Sequence, residues 1–261
     1  MNKNQFKAIV IFDIDGVIRD VGNSYRKAIA DTVEEFTDGG WRPTMEDLDN
    51  LKSEGIWNND WEASQELTYR YFEAMDKTRQ EVQLDYDHLV EFFQSRYRGN
   101  NPEVFDGYIA HEPLLVSQRY LQQLSDKQIG WGFFSGATRG SAEYILKQRL
   151  KLDYPILVAM EDAPSKPDPT GMFDAISQVE TNPSTVPAFY LGDTVADMYT
   201  VAKAREIAPE RKWIGVGILP PHVQTADRQA DYAQKLMAAG AEIVLSNVEK
   251  LTLQMIEDLS N

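Results

Sequence analysis

The chain contains no cysteine, only three histidines, and 26 basic residues against 41 acidic ones. Without thiols, disulfides, thiolate metal sites and a cysteine nucleophile are excluded, so any catalysis falls to oxygen and nitrogen groups. His88, His111 and His222 show no metal-ligand spacing, and surface or structural roles are expected for them. A net charge of -15 with no Lys/Arg run repels a polyanion, so no nucleic-acid partner is expected. No apolar run approaches the roughly 20 residues that span a bilayer. The opening MNKNQFKAIVIFD enters a strand without a signal-peptide pattern, so no membrane association and a cytoplasmic location are expected. Repeats, low-complexity tracts and a heptad seam are also missing, and a monomer or weak homodimer is expected.

What is present is an ordinary globular composition, 43% hydrophobic and 26% charged over 261 residues, enough for a sizeable core. Ala8 to Phe12, AIVIF, is a continuous apolar run of the kind buried in a parallel strand. From about Ser24 to Arg98 the texture turns helical, with breaks at Gly39-Gly40, Pro43, Gly55 and Gly99 to Pro102. Short apolar runs then alternate with helical segments: Ile129 to Phe134, Ile156 to Met160, Ala188 to Leu191, Trp213 to Ile218 and Glu242 to Leu245. That alternation predicts an α/β fold with a doubly wound parallel sheet, formed by residues 1-20 and 108-261 and interrupted by a helical module at 21-107.

In such sheets ligands bind at the carboxyl ends of the strands. Asp13 and Asp15 follow the first strand, and the mutual repulsion of two close carboxylates is relieved by a hard cation or a shared proton. With an ordinary pKa near 3.9, Asp13 is expected to be ionised at neutral pH and ready to attack phosphorus, while Asp15 handles the leaving-group proton. Ser135-Gly136-Ala137-Thr138, after the second strand, offers a hydroxyl and successive backbone N–H groups to a phosphate oxygen. Lys166, held in the proline-stiffened Ser165-Lys166-Pro167-Asp168-Pro169, supplies a point positive charge. Gly192 to Asp197 adds Asp193 and Asp197, and four acids at one strand-end crevice call for Mg²⁺ as counter-ion.

The order FDIDGVIRD, FFSGATR, SKPDP and LGDTVAD resembles the haloacid dehalogenase superfamily, in which four motifs occur in this order along essentially the whole chain. The resemblance implies Asp13 as nucleophile, Asp15 as general acid and then base, and Ser135, Gly136 and Lys166 as the phosphate clamp. It also implies Mg²⁺ held by Asp13, Asp193, Asp197 and the backbone carbonyl of Asp15, and a C1-type helical cap at 21-107. The expected activity is hydrolysis of a small phosphorylated metabolite, such as a sugar phosphate or phosphoglycolate, through an aspartyl phosphate. A phosphosugar mutase shares every core motif, and a non-catalytic phospho-ligand binding protein is the third reading. A dehalogenase is disfavoured because such members generally lack the acid that Asp15 supplies.

Four further residues are candidate substrate contacts. Arg19 lies in the segment after Asp15, where a salt-bridged surface pair is the plainer reading. Asn58 and Asn59 sit in the polar, aromatic Trp57-to-Trp61 cluster, where a capped helix start competes with a ligand contact. Arg139 follows Ser135 by four residues and either reaches substrate or covers a helix surface.

Overall fold

A computed structural model describes residues 6–57, 59–101, 104–180 and 185–261. The chain divides into two compact units, Met1–Asp20 with Pro113–Asn261 and the inserted Val21–Glu112. The first strand, β1 (Ala8–Phe12), is buried along its whole length, as a continuous apolar run requires when both faces of a sheet are covered.

The inserted unit is helical: α1 (Tyr25–Phe36), α2 (Met45–Lys52), α3 (Asp60–Glu73) and α4 (Tyr86–Tyr97). The apolar face of α1, with Ala28, Ile29 and Val33, packs against α3 and α4. Thr44 and Asp47 close a capping box at the start of α2, which satisfies N–H groups that a helix start leaves unpaired. Glu66 on α3 is buried and accepts hydrogen bonds from Arg70 and Arg79.

The other unit resumes with α5 (Gln118–Asp126), β2 (Ile129–Phe134), α6 (Arg139–Glu143), β3 (Leu157–Val158), α7 (Thr170–Val179) and β4 (Ala188–Gly192). It closes with α8 (Val195–Ile207), β5 (Trp213–Ile218), α9 (Gln229–Ala238), β6 (Ile243–Leu245) and α10 (Leu253–Ser260). The six strands are parallel in the order β3-β2-β1-β4-β5-β6. Ile9 and Ile11 of β1 and Ala188 and Tyr190 of β4 share one core with α7 and α8 residues such as Met172, Ile176, Val201 and Ala204. Each large side chain buried there contributes about 1.5–3 kcal/mol.

The strand expected over Ile156 to Met160 is shorter in the structure. Only Leu157 and Val158 pair with β2; as a sheet edge, β3 has one partner, and Met160 N–H instead donates to the Ala137 carbonyl. At the opposite edge Glu242 is not a ladder residue, but its N–H donates to the Gly215 carbonyl and its carboxylate accepts from Gly215 N–H. Among the described residues no helix is long and apolar enough to cross a membrane.

Candidate active site

The strand order reverses its direction of growth between β1 and β4, so the loops that follow these two strands open a crevice at the carboxyl edge of the sheet. Phe12 lies level with Phe133 of β2 and Leu191 of β4. Asp13, Ser135 and Asp193 therefore all emerge on that edge, and Asp13 N–H donates to the Leu191 carbonyl at 2.8 Å.

The turn after β1 depends on Gly16, whose φ of +73° is in the region that side-chain-bearing residues avoid. A β-carbon there would also overlap the Asp193 carboxylate. Gly16 thus lets the Asp13–Asp15 backbone press directly on the loop after β4. Within the turn, Gly16 N–H donates to the Arg19 carbonyl at 2.9 Å. Arg19 Nε donates to Asp15 Oδ1 at 2.6 Å, and the arginine is fully buried. Arg19, expected at the surface, is instead buried, and its guanidinium is directed at the partly exposed Asp15.

Lys166, from the loop between β3 and α7, places Nζ 2.8 Å from Asp13 Oδ1 and 2.7 Å from Asp197 Oδ1. The rings of Phe134 and Tyr190 lie 5.3 and 5.4 Å from the same ammonium, within cation–π range. Tyr190 Oη is 3.1 Å from Asp197 Oδ1, and Asp197 Oδ2 accepts from Thr194 N–H at 2.9 Å and Thr194 Oγ1 at 2.7 Å. Four donors therefore surround Asp197, about the capacity of a carboxylate. Asp197 is an anchor for Lys166 and the third residue of a capping box at the start of α8.

One oxygen from each of Asp13, Asp193 and Asp197 lies within 4.8 Å of the other two, and all three residues are buried. Three acids against one lysine form a hard, net negative oxygen cluster, the donor chemistry Mg²⁺ prefers. Asp13 Oδ1 is buried and, beyond the ammonium at 2.8 Å, receives no hydrogen bond among the described residues. The Asp15 carbonyl likewise accepts none among the described residues. Asp13, Asp193 and the Asp15 carbonyl fit a magnesium site on these grounds, whereas the oxygens of Asp197 are already engaged. The Asp15 side chain stands outside the cluster, tied to Arg19.

Burial pushes the Asp13 carboxyl up to about 7; Lys166 pulls it down, and Asp197 and Asp15 push it further up. The sequence-based expectation of an ordinary, fully ionised carboxylate is corrected accordingly, because enclosure removes the water that would solvate the charge. The Lys166 ammonium is held above its ordinary range: burial alone would lower it, but Asp13 and Asp197 outweigh burial.

Ser135 is buried, its Oγ accepts from Ala137 N–H at 3.1 Å, and its own hydrogen is given to no protein group among the described residues. A β-carbon on Gly136 would meet nothing within 4 Å, so that side of the backbone is open. Arg139 is partly exposed and engaged by Asp162 and Glu143 on its own unit, which fits surface cover. Asn59 caps α3, its side chain accepting from Trp61 N–H at 3.0 Å. Asn58 lies outside the described residues.

Three contributors were not singled out from sequence. Tyr190, the hydroxyl-bearing residue of an otherwise apolar strand, reaches Asp197. Thr194 three residues before Asp197 was legible as a capping-box pattern. Tyr232 Oη donates to the Asp193 carbonyl at 2.9 Å, a long-range contact with no local signal.

Residues 7–205 match the family model described as haloacid dehalogenase-like hydrolase. An imidazoleglycerol-phosphate dehydratase from Phytophthora nicotianae is 27% identical over 243 residues, covering 91% of this chain and 50% of that protein, so the chain spans about half its length. Among solved structures, a phosphatase from Thermococcus thioreducens superposes with a TM-score of 0.62 at 22% identity, covering 86% of this chain and 98% of the other. A β-phosphoglucomutase from Clostridium difficile gives 0.61 at 14% identity, covering 98% of each chain. At these identities the two structures establish the fold.

Proposed function

Because the chain belongs to the haloacid dehalogenase-like hydrolases, we propose that it is a Mg²⁺-dependent phosphatase acting on small phosphate monoesters through an aspartyl phosphate on Asp13. The observation that carries this reading is Lys166 Nζ seated between Asp13 and Asp197, at 2.8 and 2.7 Å, beside the buried acid triad. Asp13, Asp193 and the Asp15 carbonyl would hold a Mg²⁺, whose charge would keep Asp13 ionised and offset the phosphate.

Asp13 attacks phosphorus in line, and its attacking oxygen forms the new P–O bond as the ester P–O bond breaks. Asp15 gives its proton to the departing ester oxygen and then takes one from the water that attacks the aspartyl phosphate, which releases inorganic phosphate and restores Asp13. Lys166, fixed by Asp197, stabilises the equatorial phosphate oxygens together with the Ser135 hydroxyl and the Gly136 N–H. Substrate choice is assigned to the inserted helical unit, as the cap that the motif spacing implies, and Asp197 acts through Lys166.

The test is phosphate release from a panel of sugar phosphates, phosphoglycolate and imidazoleglycerol phosphate, with and without Mg²⁺, for the native chain and Asp13→Asn. Imidazoleglycerol phosphate is included because of the relative named for it. Mg²⁺-dependent release abolished by the substitution supports the reading. An isomerised sugar phosphate without free phosphate would support a mutase, and no turnover of any compound would remove the enzymatic reading of this site.

A further inference from the structure

We propose that Arg19 is a positioning residue that divides the labour of the two Asp15 oxygens, anchoring Oδ1 so that Oδ2 carries the proton. The inference rests on the phosphatase reading above and assigns to Arg19 a role that is neither substrate contact nor surface charge.

The backbone of Arg19 is fixed from both sides. Its N–H donates to the Ile14 carbonyl at 3.2 Å, its carbonyl accepts from Gly16 N–H at 2.9 Å, and it bridges to Leu114 in antiparallel fashion. The neighbouring bonds Leu115 N–H to Ile18 carbonyl at 2.8 Å and Asp20 N–H to Pro113 carbonyl at 2.9 Å extend the clamp. On this fixed backbone the guanidinium is fully buried.

Nε donates to Asp15 Oδ1 at 2.6 Å, and a terminal nitrogen of the same guanidinium lies in ion-pair contact with that oxygen, also at 2.6 Å. Among the described residues no group donates to Oδ2, and the side chain of Asp15 retains 23% exposure whereas that of Arg19 has none. An oxygen that accepts a charge-assisted hydrogen bond from Nε and lies in ion-pair contact with a second guanidinium nitrogen is a poor site for a proton, because protonation there would place O–H against the guanidinium. The proton is therefore directed to Oδ2. From there it passes to the ester oxygen as the P–O bond breaks, and the proton of the attacking water returns to it. The same contact keeps the Asp15 carboxylate outside the Asp13, Asp193 and Asp197 cluster.

A residue that acts through a general acid matters in proportion to how much the leaving group needs a proton. The experiment compares kcat/KM for an alkyl phosphate and for p-nitrophenyl phosphate, whose leaving group departs unaided, in the Mg²⁺-loaded native chain, Arg19→Lys and Arg19→Met. The expected result is a loss of about 10- to 100-fold on the alkyl ester in both variants, against less than about threefold on the nitrophenyl ester. In an Asp15→Asn background, Arg19→Lys is expected to cause no additional loss. Equal losses on the two esters, no loss on either, or additive losses with Asp15→Asn would overturn the proposal. So would failure of Arg19→Lys to fold, since that variant keeps charge and near-equal length, and its failure would place Arg19 in the scaffold. A native chain that hydrolyses neither ester would overturn the phosphatase reading itself and this inference with it, whereas an active native chain with an unchanged ester ratio would overturn this inference alone.

Discussion

Gly16 lies so close to Asp193 that a β-carbon on the glycine would occupy the space of the aspartate's carboxylate. The contact joins the loop after β1 to the loop after β4 and sets the distance between Asp13 and the acids that face it.

Gly16→Ala tests that joint. Alanine at a φ of +73° costs about 1 kcal/mol from backbone strain alone, and relieving the overlap must move either Asp193 or the Asp13–Asp15 turn. A shift of about 1 Å in a catalytic group can lower activity about 100-fold. The expected outcome is a modest drop in melting temperature with a loss of phosphate release of that order. Activity within threefold of native would show that the two loops are not held in register by this contact.

Asn59→Ala separates the two readings of the Trp57-to-Trp61 cluster. As the cap of α3, Asn59 accepts from Trp61 and Glu62 N–H groups, and its removal should destabilise the protein by about 1 kcal/mol. With Asp or Ser in its place most of that stability should return, because either side chain can accept the same bonds. kcat/KM is expected to stay within about twofold for all three variants; a larger fall that tracks substrate identity would make Asn59 a ligand contact after all.

The strands were legible because buried parallel strands are uninterrupted apolar runs, and Ala8–Phe12 and Trp213–Ile218 have the bounds their composition implies. The length of β3 was not legible, since an edge strand ends where its single neighbour stops pairing and not where its apolar residues end. The chemistry-bearing residues were visible as acids and a lysine at strand ends, but their environment was not. Arg19 reads as a surface charge in sequence because nothing local says that the turn will enclose it. The Lys166–Asp197 bond spans 31 residues, and that pairing, together with the enclosure of Asp13, arises only when three separate loops meet.

The enclosure of Asp13 makes the stability of the metal-free protein fall with rising pH. Burial, with Asp197 and Asp15 adding to it and Lys166 opposing, raises the folded-state pKa from 3.8 to about 7. Between those values the folded protein keeps a proton that the unfolded chain has released, so unfolding free energy decreases as pH rises and the cost is fully present above about pH 7. At about 1.4 kcal/mol per unit, the cost is a few kcal/mol at most. Asp13→Asn cannot ionise, and Lys166 retains Asp197 as an anionic partner in that variant. The melting temperature of Asp13→Asn should therefore match native near pH 4 and exceed it increasingly toward pH 8 in chelator. Addition of Mg²⁺ at pH 8 should stabilise the native chain more than the variant and narrow the gap, because the ion favours the ionised carboxylate that only the native chain has. A gap that is constant from pH 4 to 8, or equal stabilisation of both proteins by Mg²⁺, would mean that Asp13 is neither electrostatically strained in the free protein nor part of the metal site.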